Sequence, residues 1–151
     1  MEAGTRFAKE CEERWLTNAL QRNKPTDMNK QKILYERLGG YDAIAAVAND
    51  LLPRLRSDSQ LGRFWAHRSD DGVEREKQLL INFLCANAGG PVLYTGRNMV
   101  TSHKGMRISE SDWNVFIVHL QATLSKFAVP VRERGEVLAF VDSTKAEIVE
   151  C

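Results

Sequence analysis

Apolar residues recur every three or four positions along most of this chain, with charged residues between them, which is the pattern of amphipathic helices. A first pattern of this kind covers residues 4–22. Its apolar positions are Phe7, Cys11, Trp15, Leu16 and Leu20. Residues 23–27 interrupt it with a proline and a Thr-Asp pair. We therefore predict an N-terminal helical extension and linker over residues 1–28, either a functional arm or a solvated appendage, and a domain over residues 29–151.

The domain opens with two helical patterns separated by Gly39-Gly40, since glycine takes positive φ at a helix end without steric cost. The first pattern starts at Lys30 and is short. The second covers about residues 42–56, and Pro53 within it predicts a kink or a local break. The inner face of this second helix carries Ile44, Val47, Ala48, Leu51, Leu52 and Leu55. A short turn then brings Phe64 and Trp65 side by side, and such a pair either caps a core or forms the wall of a cofactor site.

A third helical pattern covers about residues 72–88 and ends at Gly89-Gly90-Pro91. Its apolar face carries Val73, Leu79, Leu80, Phe83, Leu84 and Cys85. The segment that follows contains few helix-forming residues, so we expect a loop with a single helical turn that carries Met99 and His103. These two residues share a face of the turn because they are four positions apart.

A capping box at residues 109–112, a serine followed three positions later by an acidic residue, predicts the start of the clearest helix. Its apolar positions are Trp113, Phe116, Ile117, Leu120 and Leu124. Pro130 suits the first turn of a last helix, where its missing N–H costs nothing. The buried positions of that helix are Val137, Leu138, Phe140, Val141 and Ile148. The sequence shows no alternating strand pattern, so the predicted class is all-α.

Composition narrows the class of protein further. A length of 151 residues with 43% hydrophobic content suits one domain, and a formal charge of +1 makes nucleic acid and acidic lipid poor candidate partners. The three cysteines show no CxxC spacing, and Cys85 lies in an apolar helix as a buried free thiol, which favours a reducing compartment. There is neither an apolar run of membrane-spanning length nor a secretory signal, so we expect no membrane association and a cytoplasmic location.

The three histidines are His67, His103 and His119. A zinc site needs three or four ligands, and none of these histidines has a second ligand at a suitable spacing. A nucleophile is not indicated either, because no serine stands in a strand-turn-helix elbow and Cys85 lies on an apolar helix. A helical domain with one ligand-competent histidine among Phe, Trp, Met and Leu has the composition that a haem pocket requires, since haem iron takes one imidazole and the porphyrin needs apolar walls. The alternative is a histidine with a structural hydrogen bond.

Four segments read, in order, LYERLGGYDAIAAV, RFW, NFLCANAGGPVLYTGRNMVTSHKGMRISESDW and HLQATLSKF. Together they resemble the truncated (two-on-two) haemoglobins, and within that family most closely group I. The resemblance covers roughly residues 33–149, where two Gly-Gly breaks and the HxGM segment fall at the family's separations. It implies a globin-like two-over-two helical sandwich, here with an additional N-terminal helix. It also implies haem b as cofactor and the diatomic ligands O2, NO and CO.

By this resemblance His103 is the proximal ligand and binds iron through Nε2. The resemblance also implies that Met99 and Met106 lie against the porphyrin, Phe64 and Trp65 at its edge, Leu84 and Phe116 on its two faces, and Tyr94 at a propionate, with Arg97, Arg68 and Lys77 as weaker candidates for the propionate.

The distal side departs from the family, which usually places a tyrosine on the second helix and often a glutamine on the helix before the Gly-Gly-Pro break. This chain has Leu52 and Leu80 there, and neither can donate a hydrogen bond. Loss of a donor in a dry pocket removes about 1–3 kcal/mol, or about ten- to a hundredfold in the equilibrium constant for dioxygen. The indole N–H of Trp65 could substitute; alternatively its ring packs on the haem edge and the N–H meets solvent or backbone. His67 or Lys77 could act as an internal sixth ligand.

The function implied is reversible binding of a diatomic gas, with conversion of nitric oxide to nitrate as its chemistry. That reaction needs an external reductase, since the sequence shows no flavin or nicotinamide domain. An alternative is a haem-based gas or redox sensor or interaction protein that acts through the N-terminal helix, by which an oligomer could also form. A further alternative is a haem-free helical interaction module.

Overall fold

A computed structural model of the chain describes residues 32–150, and within that range every regular element is a helix. The elements are α1 (Leu34–Leu38), α2 (Gly40–Ser57), a 3-10 helix (Gly62–Trp65), α3 (Asp70–Asn87), α4 (Met99–His103), α5 (Glu110–Lys126), α6 (Val131–Asp142) and α7 (Lys145–Ile148). The predicted all-α class is confirmed for this range. The predicted N-terminal helix over residues 4–22 and the boundary near residue 29 lie outside the described residues. None of the described helices combines the length and apolarity needed to cross a membrane.

Glycines determine how the chain enters α2 and how it leaves α3. Gly39 and Gly40 have φ of 104° and 81°, so each takes the left-handed conformation that a side chain disfavours, and α2 starts there. At the end of α3, Gly90 lies under the ring of Tyr35, where a Cβ atom would come within 2.4 Å of the ring. The backbone N–H of Tyr35 also donates to the carbonyl of Ala88 at 2.9 Å. Helix α1 can therefore pack on the end of α3 only because Gly90 has no side chain.

The apolar faces of the helices meet in two buried clusters. The first core cluster consists of Leu51, Leu55, Leu61, Trp113, Leu120, Leu124, Val137 and Val141. The second core cluster consists of Ile44, Ala48, Ile81, Leu84, Cys85 and Ala88. Helix α2 contributes to both clusters and contacts both α3 and α5. Helix α2 therefore packs with α5 and α6 in the first cluster and with α3 in the second.

The local start signals act as the sequence predicts. Ser109 and Asp112 form the complete capping box at the start of α5, with the Ser109 hydroxyl accepting from the Asp112 N–H at 3.1 Å.

The local break predicted at Pro53 is absent, and α2 runs on to Ser57. The carbonyl that loses its partner belongs to Asn49, which is exposed, so water can satisfy it.

The end of the domain differs from the prediction in one respect. Pro130 stands just before α6, as its N-cap, and the single last helix that was predicted to extend to Ile148 is two helices. The hydroxyls of Ser143 and Thr144 donate back to the carbonyls of Phe140 and Val141. Hydroxyl side chains that bond to nearby backbone in this way compete with the helical pattern, which accounts for the break.

Candidate functional site

His103 is the last residue of α4, a helix of five residues. Its first turn is capped by Asn98, whose side-chain oxygen accepts from the N–H of Thr101 at 2.7 Å. Met99 and His103 lie one turn apart, as the spacing predicts, and both side chains are partly buried. The cap therefore fixes where this short helix starts, and the helix length places the imidazole at its end.

The hydrogen bonds of His103 define its tautomer. Nδ1 lies 3.0 Å from the carbonyl oxygen of Met99 and 2.8 Å from the hydroxyl of Ser102. A carbonyl oxygen can only accept, so Nδ1 carries the proton and Nε2 carries the lone pair. No group of residues 32–150 bonds to Nε2. This is the arrangement that a metal-binding imidazole needs, with one nitrogen held by the backbone and the other available.

The residues predicted to surround the haem lie on several elements, and most of their side chains are only partly buried. Leu52 and Leu84 are buried, at 4% and 8% exposure. The partly buried members are Phe64, Trp65, Leu80, Tyr94, Met99, His103, Met106 and Phe116. Of these, Phe64, Trp65 and Phe116 pack against the first core cluster and Leu80 against the second. Partly exposed apolar side chains on several elements can line a binding site for a large apolar group.

The aromatic pair at residues 64 and 65 carries an unpaired donor. The two rings are 6.3 Å apart in an edge-to-face arrangement. Nε1 of Trp65 is buried and has no hydrogen-bond partner within residues 32–150. An N–H bonded to solvent or backbone, one of the two arrangements considered from the sequence, is therefore not observed. Buried donors are nearly always paired, so this N–H is a candidate for pairing with a bound group.

The residues considered as partners of the haem propionates differ in whether their polar groups already have a hydrogen bond or an ion pair. The Tyr94 hydroxyl donates its proton to the carbonyl of Arg97 at 2.6 Å, and its ring meets Phe83 edge to face at 5.5 Å. Arg68 pairs with Glu76 at 3.3 Å, and Lys77 pairs with Glu74 at 2.8 Å. Within residues 32–150 the guanidinium of Arg97 has no hydrogen bond or ion pair. Arg97 is thus the candidate whose charge is available, whereas Tyr94 would first have to release a carbonyl.

A separate apolar cavity of about 170 Å³ lies where the start of α2, the end of α3 and the α5–α6 turn meet. Its lining includes Leu38, Val47, Leu84, Phe127 and Phe140. Of the predicted haem contacts only Leu84 takes part. The cavity therefore shares one side chain, Leu84, with the predicted haem site.

The comparison with known proteins settles the family. A family model described as bacterial-like globin matches residues 33–150. The group 1 truncated haemoglobin of Mycolicibacterium paratuberculosis is 30% identical over 76% of this chain and 82% of its own length. The chain belongs to the group 1 truncated haemoglobins. The group 1 truncated haemoglobin of Tetrahymena pyriformis is 28% identical over 81% of this chain and 98% of its own length. The crystal structure of that protein in the Fe(III) form superposes with a TM-score of 0.73, at 25% identity over 80% of this chain and all of that one.

Membership of the truncated haemoglobins confirms two expectations taken from the sequence. The fold is the two-on-two helical sandwich of that family. The family function is haem-based binding of diatomic gases. The assignment of individual residues to the haem is a separate question, which the geometry of His103 and its surroundings addresses.

Two carboxylates of this truncated haemoglobin hold backbone segments next to the predicted site, and the sequence analysis did not predict this role for either of them. Asp112, recognised only as part of a capping box, is 2% exposed and also binds Arg63 at 2.6 Å and Gln60 at 2.7 Å. The hydrogen bond from Arg63 holds the pKa of this carboxyl well below its usual range. The guanidinium also stacks over the Phe64 ring at 4.3 Å. Asp112 therefore anchors the 3-10 helix that carries the aromatic pair.

The second residue is Glu150, whose carboxylate accepts from the N–H groups of Gly105 and Arg107 just beyond His103. No local signal in the sequence could have indicated it, because the partners are more than 40 positions apart and the acceptor follows the last short helix.

Proposed function

We propose that this truncated haemoglobin binds haem b through Nε2 of His103 and takes a diatomic gas on the opposite side of the iron. The bond from His103 Nδ1 to the Met99 carbonyl, at 3.0 Å, supports this most directly, because it leaves Nε2 unprotonated. The half-open apolar residues on α2, α3, α5 and the 3-10 helix fit an apolar macrocycle. Arg97 is the first candidate for a propionate.

Bound haem supplies an iron centre for O2, NO or CO, and with one electron from an external reductase it supports conversion of NO and O2 to nitrate. The chain's own residues set the polarity around the gas. Leu52 and Leu80 are apolar and offer no proton, and the indole N–H of Trp65 is the donor we assign to the bound gas. We therefore propose weaker retention of dioxygen, relative to carbon monoxide, than in relatives with a distal tyrosine. A cytoplasmic location is part of this proposal.

Absorption spectra of the purified protein test the assignment of His103. We expect a Soret band in the wild type, loss of haem in His103→Gly, and recovery of the band when imidazole is added to that variant. His119→Gln is the control, since it removes a histidine that hydrogen-bonds to Asp58 at 2.8 Å and is not among the residues predicted for the haem, and it should leave the spectra unchanged. A wild-type protein that binds no haem would contradict the proposed function. A His103→Gly variant with the wild-type spectrum in the absence of imidazole would contradict only the choice of ligand.

A second candidate function is supported by the apolar helical pattern of residues 4–22, which suits docking to a partner or to another copy of the chain. In that case haem occupancy would alter docking, and the protein would act as a gas or redox sensor. Deletion of residues 1–27 separates the two functions. Unchanged gas-binding rates and oligomeric state favour the gas-binding function alone, and a change in oligomeric state that depends on haem favours the sensor.

A further inference from the structure

The loop after His103 has an unusual backbone. Gly105 has a φ of 83° and Arg107 a φ of 55°, so two residues of this loop lie in the left-handed region. A residue other than glycine pays a steric cost there. The conformation at Arg107 therefore needs support from outside the loop.

Glu150 supplies that support. Its Oε1 accepts from the N–H of Gly105 at 2.7 Å, and its Oε2 accepts from the N–H of Arg107 at 2.9 Å. Its own N–H donates to the carbonyl of Ile108 at 2.9 Å. Backbone N–H groups that converge on one anion form a nest, and hydrogen bonds to a charged acceptor are stronger than those to a neutral one. The carboxylate therefore fixes the backbone at Gly105 and Arg107, and the Glu150 backbone N–H adds a third hydrogen bond at Ile108.

This loop is directly continuous with the end of α4. The N–H of Met106 donates to the carbonyl of His103 at 3.2 Å, between the two residues that Glu150 holds. A helix of five residues is not stable by itself, so its position depends on what holds its ends. Asn98 caps the first end, and the loop that Glu150 fixes follows the last.

We propose that Glu150 is a positioning residue for His103. Its carboxylate fixes the backbone of residues 105–107, and this backbone fixes the carbonyl of His103 and the direction from which the imidazole leaves the helix. The inference rests on the proposed function, in which His103 binds the iron. It adds that the geometry of this bond is set from the other end of the domain, by a residue that touches neither the imidazole nor the haem.

Two measurements on the full chain test this proposal. The first is amide hydrogen exchange at Gly105 and Arg107 by NMR in the diamagnetic ferrous carbon monoxide complex. The second is the iron–histidine stretching band of the ferrous protein without gas, by resonance Raman spectroscopy. In Glu150→Ala we expect exchange at both amides to become about tenfold faster or more, because their acceptor is lost. We expect the Raman band to broaden, because the imidazole samples more orientations.

Glu150→Gln keeps one good acceptor oxygen and should give a smaller change in both measurements. Glu147→Gln is the matched control, since Glu147 is an exposed carboxylate on α7, three positions before Glu150, and its side chain has no partner within residues 32–150. It should leave both measurements at their wild-type values. A global loss of stability would accelerate exchange throughout α5 as well, which separates it from loss of the local contact.

Two results would overturn the proposal, and a third would contradict the proposed function on which it rests. Unchanged amide exchange in Glu150→Ala would show that the carboxylate does not hold the loop. Faster exchange with an unchanged Raman band would show that it holds the loop without positioning His103. A wild-type protein that binds haem but lacks an iron–histidine band, or shows the same band in His103→Gly, would instead contradict the proposed function, and the amide exchange would still report on the loop.

Discussion

At the residue scale, the polarity that we propose around the bound gas depends on Trp65. Leu52 and Leu80 carry no proton to donate, and Nε1 of Trp65 is buried without a partner in the described part of the chain. A buried donor left unpaired costs about 1–3 kcal/mol. Bound dioxygen, which carries partial negative charge on its outer oxygen, can accept this proton and remove much of that cost. Carbon monoxide is less polarised and gains less.

We therefore expect Trp65→Phe to raise the dissociation rate of dioxygen about tenfold, which corresponds to the loss of one ordinary hydrogen bond. The dissociation rate of carbon monoxide should change much less, because the substitution keeps an apolar ring at the same position. Stopped-flow measurement of both rates checks this.

Leu80→Gln in the Trp65→Phe background provides the complementary test, because it returns a donor to the helix that faces the gas. It should slow dioxygen loss again, while Leu79→Gln should not, because the side chain one position away leaves α3 in a different direction. An unchanged dioxygen rate in Trp65→Phe would mean that the indole N–H does not bond to the gas.

At the scale of the elements, the helices could be predicted where the signals for their ends are local. Gly39-Gly40, the break at Gly89-Gly90 and the Ser109 capping box each act through residues within a few positions, and the structure places helix ends there. The break after Asp142 was missed because Ser143 and Thr144 interrupt the helix through their hydroxyls, while the apolar spacing continues to Ile148.

The hydrogen bonds and the ion pair that support the predicted site could not be predicted, because the residues that form them are distant in sequence. Arg63 meets Asp112 across 49 positions, and Glu150 meets Gly105 across 45. The residues predicted for the haem followed from the family resemblance, which fixed their order along the chain. The state of each side chain, such as the buried indole N–H of Trp65 or the occupied hydroxyl of Tyr94, required the structure.

Asp50 on α2 links that helix to α5, and the link is sensitive to pH. Its carboxylate binds Lys126 at 2.7 Å, Arg54 at 2.8 Å and the Thr123 hydroxyl at 2.9 Å. The hydrogen bond from Lys126 is the largest cause that lowers the pKa of Asp50 from 3.8 to about 2. A carboxyl with a lowered pKa in the folded state stabilises the fold above its unfolded pKa, and this contribution is lost as the pH falls through the folded value.

We expect Asp50→Asn to lower the free energy of unfolding by about 1–2 kcal/mol at pH 7, since the charged acceptor is lost. The difference from wild type should shrink between pH 3.8 and about 2, where the wild-type carboxylate takes up its proton. Denaturant unfolding across this range measures it. Asp142→Asn removes an exposed carboxylate without a partner within residues 32–150 and is the control. A difference that stays constant down to pH 2 would contradict this assignment.

At the scale of the whole molecule, the core and the proposed haem site are largely separate. Of the residues assigned to the haem, only Leu84 is a buried member of either core cluster. Phe64, Trp65, Leu80 and Phe116 pack on the outside of these clusters. Within residues 32–150 the imidazole of His103 bonds only to Met99 and Ser102, which lie on its own short helix. We therefore expect the fold not to depend on the imidazole, whereas the proposed retention of the haem does.

This separation predicts how His103→Gly changes thermal unfolding. Haem binds the folded state, so it stabilises that state by mass action, by about 2.7 kcal/mol at a hundred times its dissociation constant. The variant should lose most of this stabilisation in the presence of haem. Without haem its unfolding midpoint should match that of the wild-type apoprotein, because no core contact is removed. Calorimetry of both proteins with and without haem gives the four values. An apoprotein that the substitution destabilises as strongly as the haem complex would show that His103 supports the fold itself.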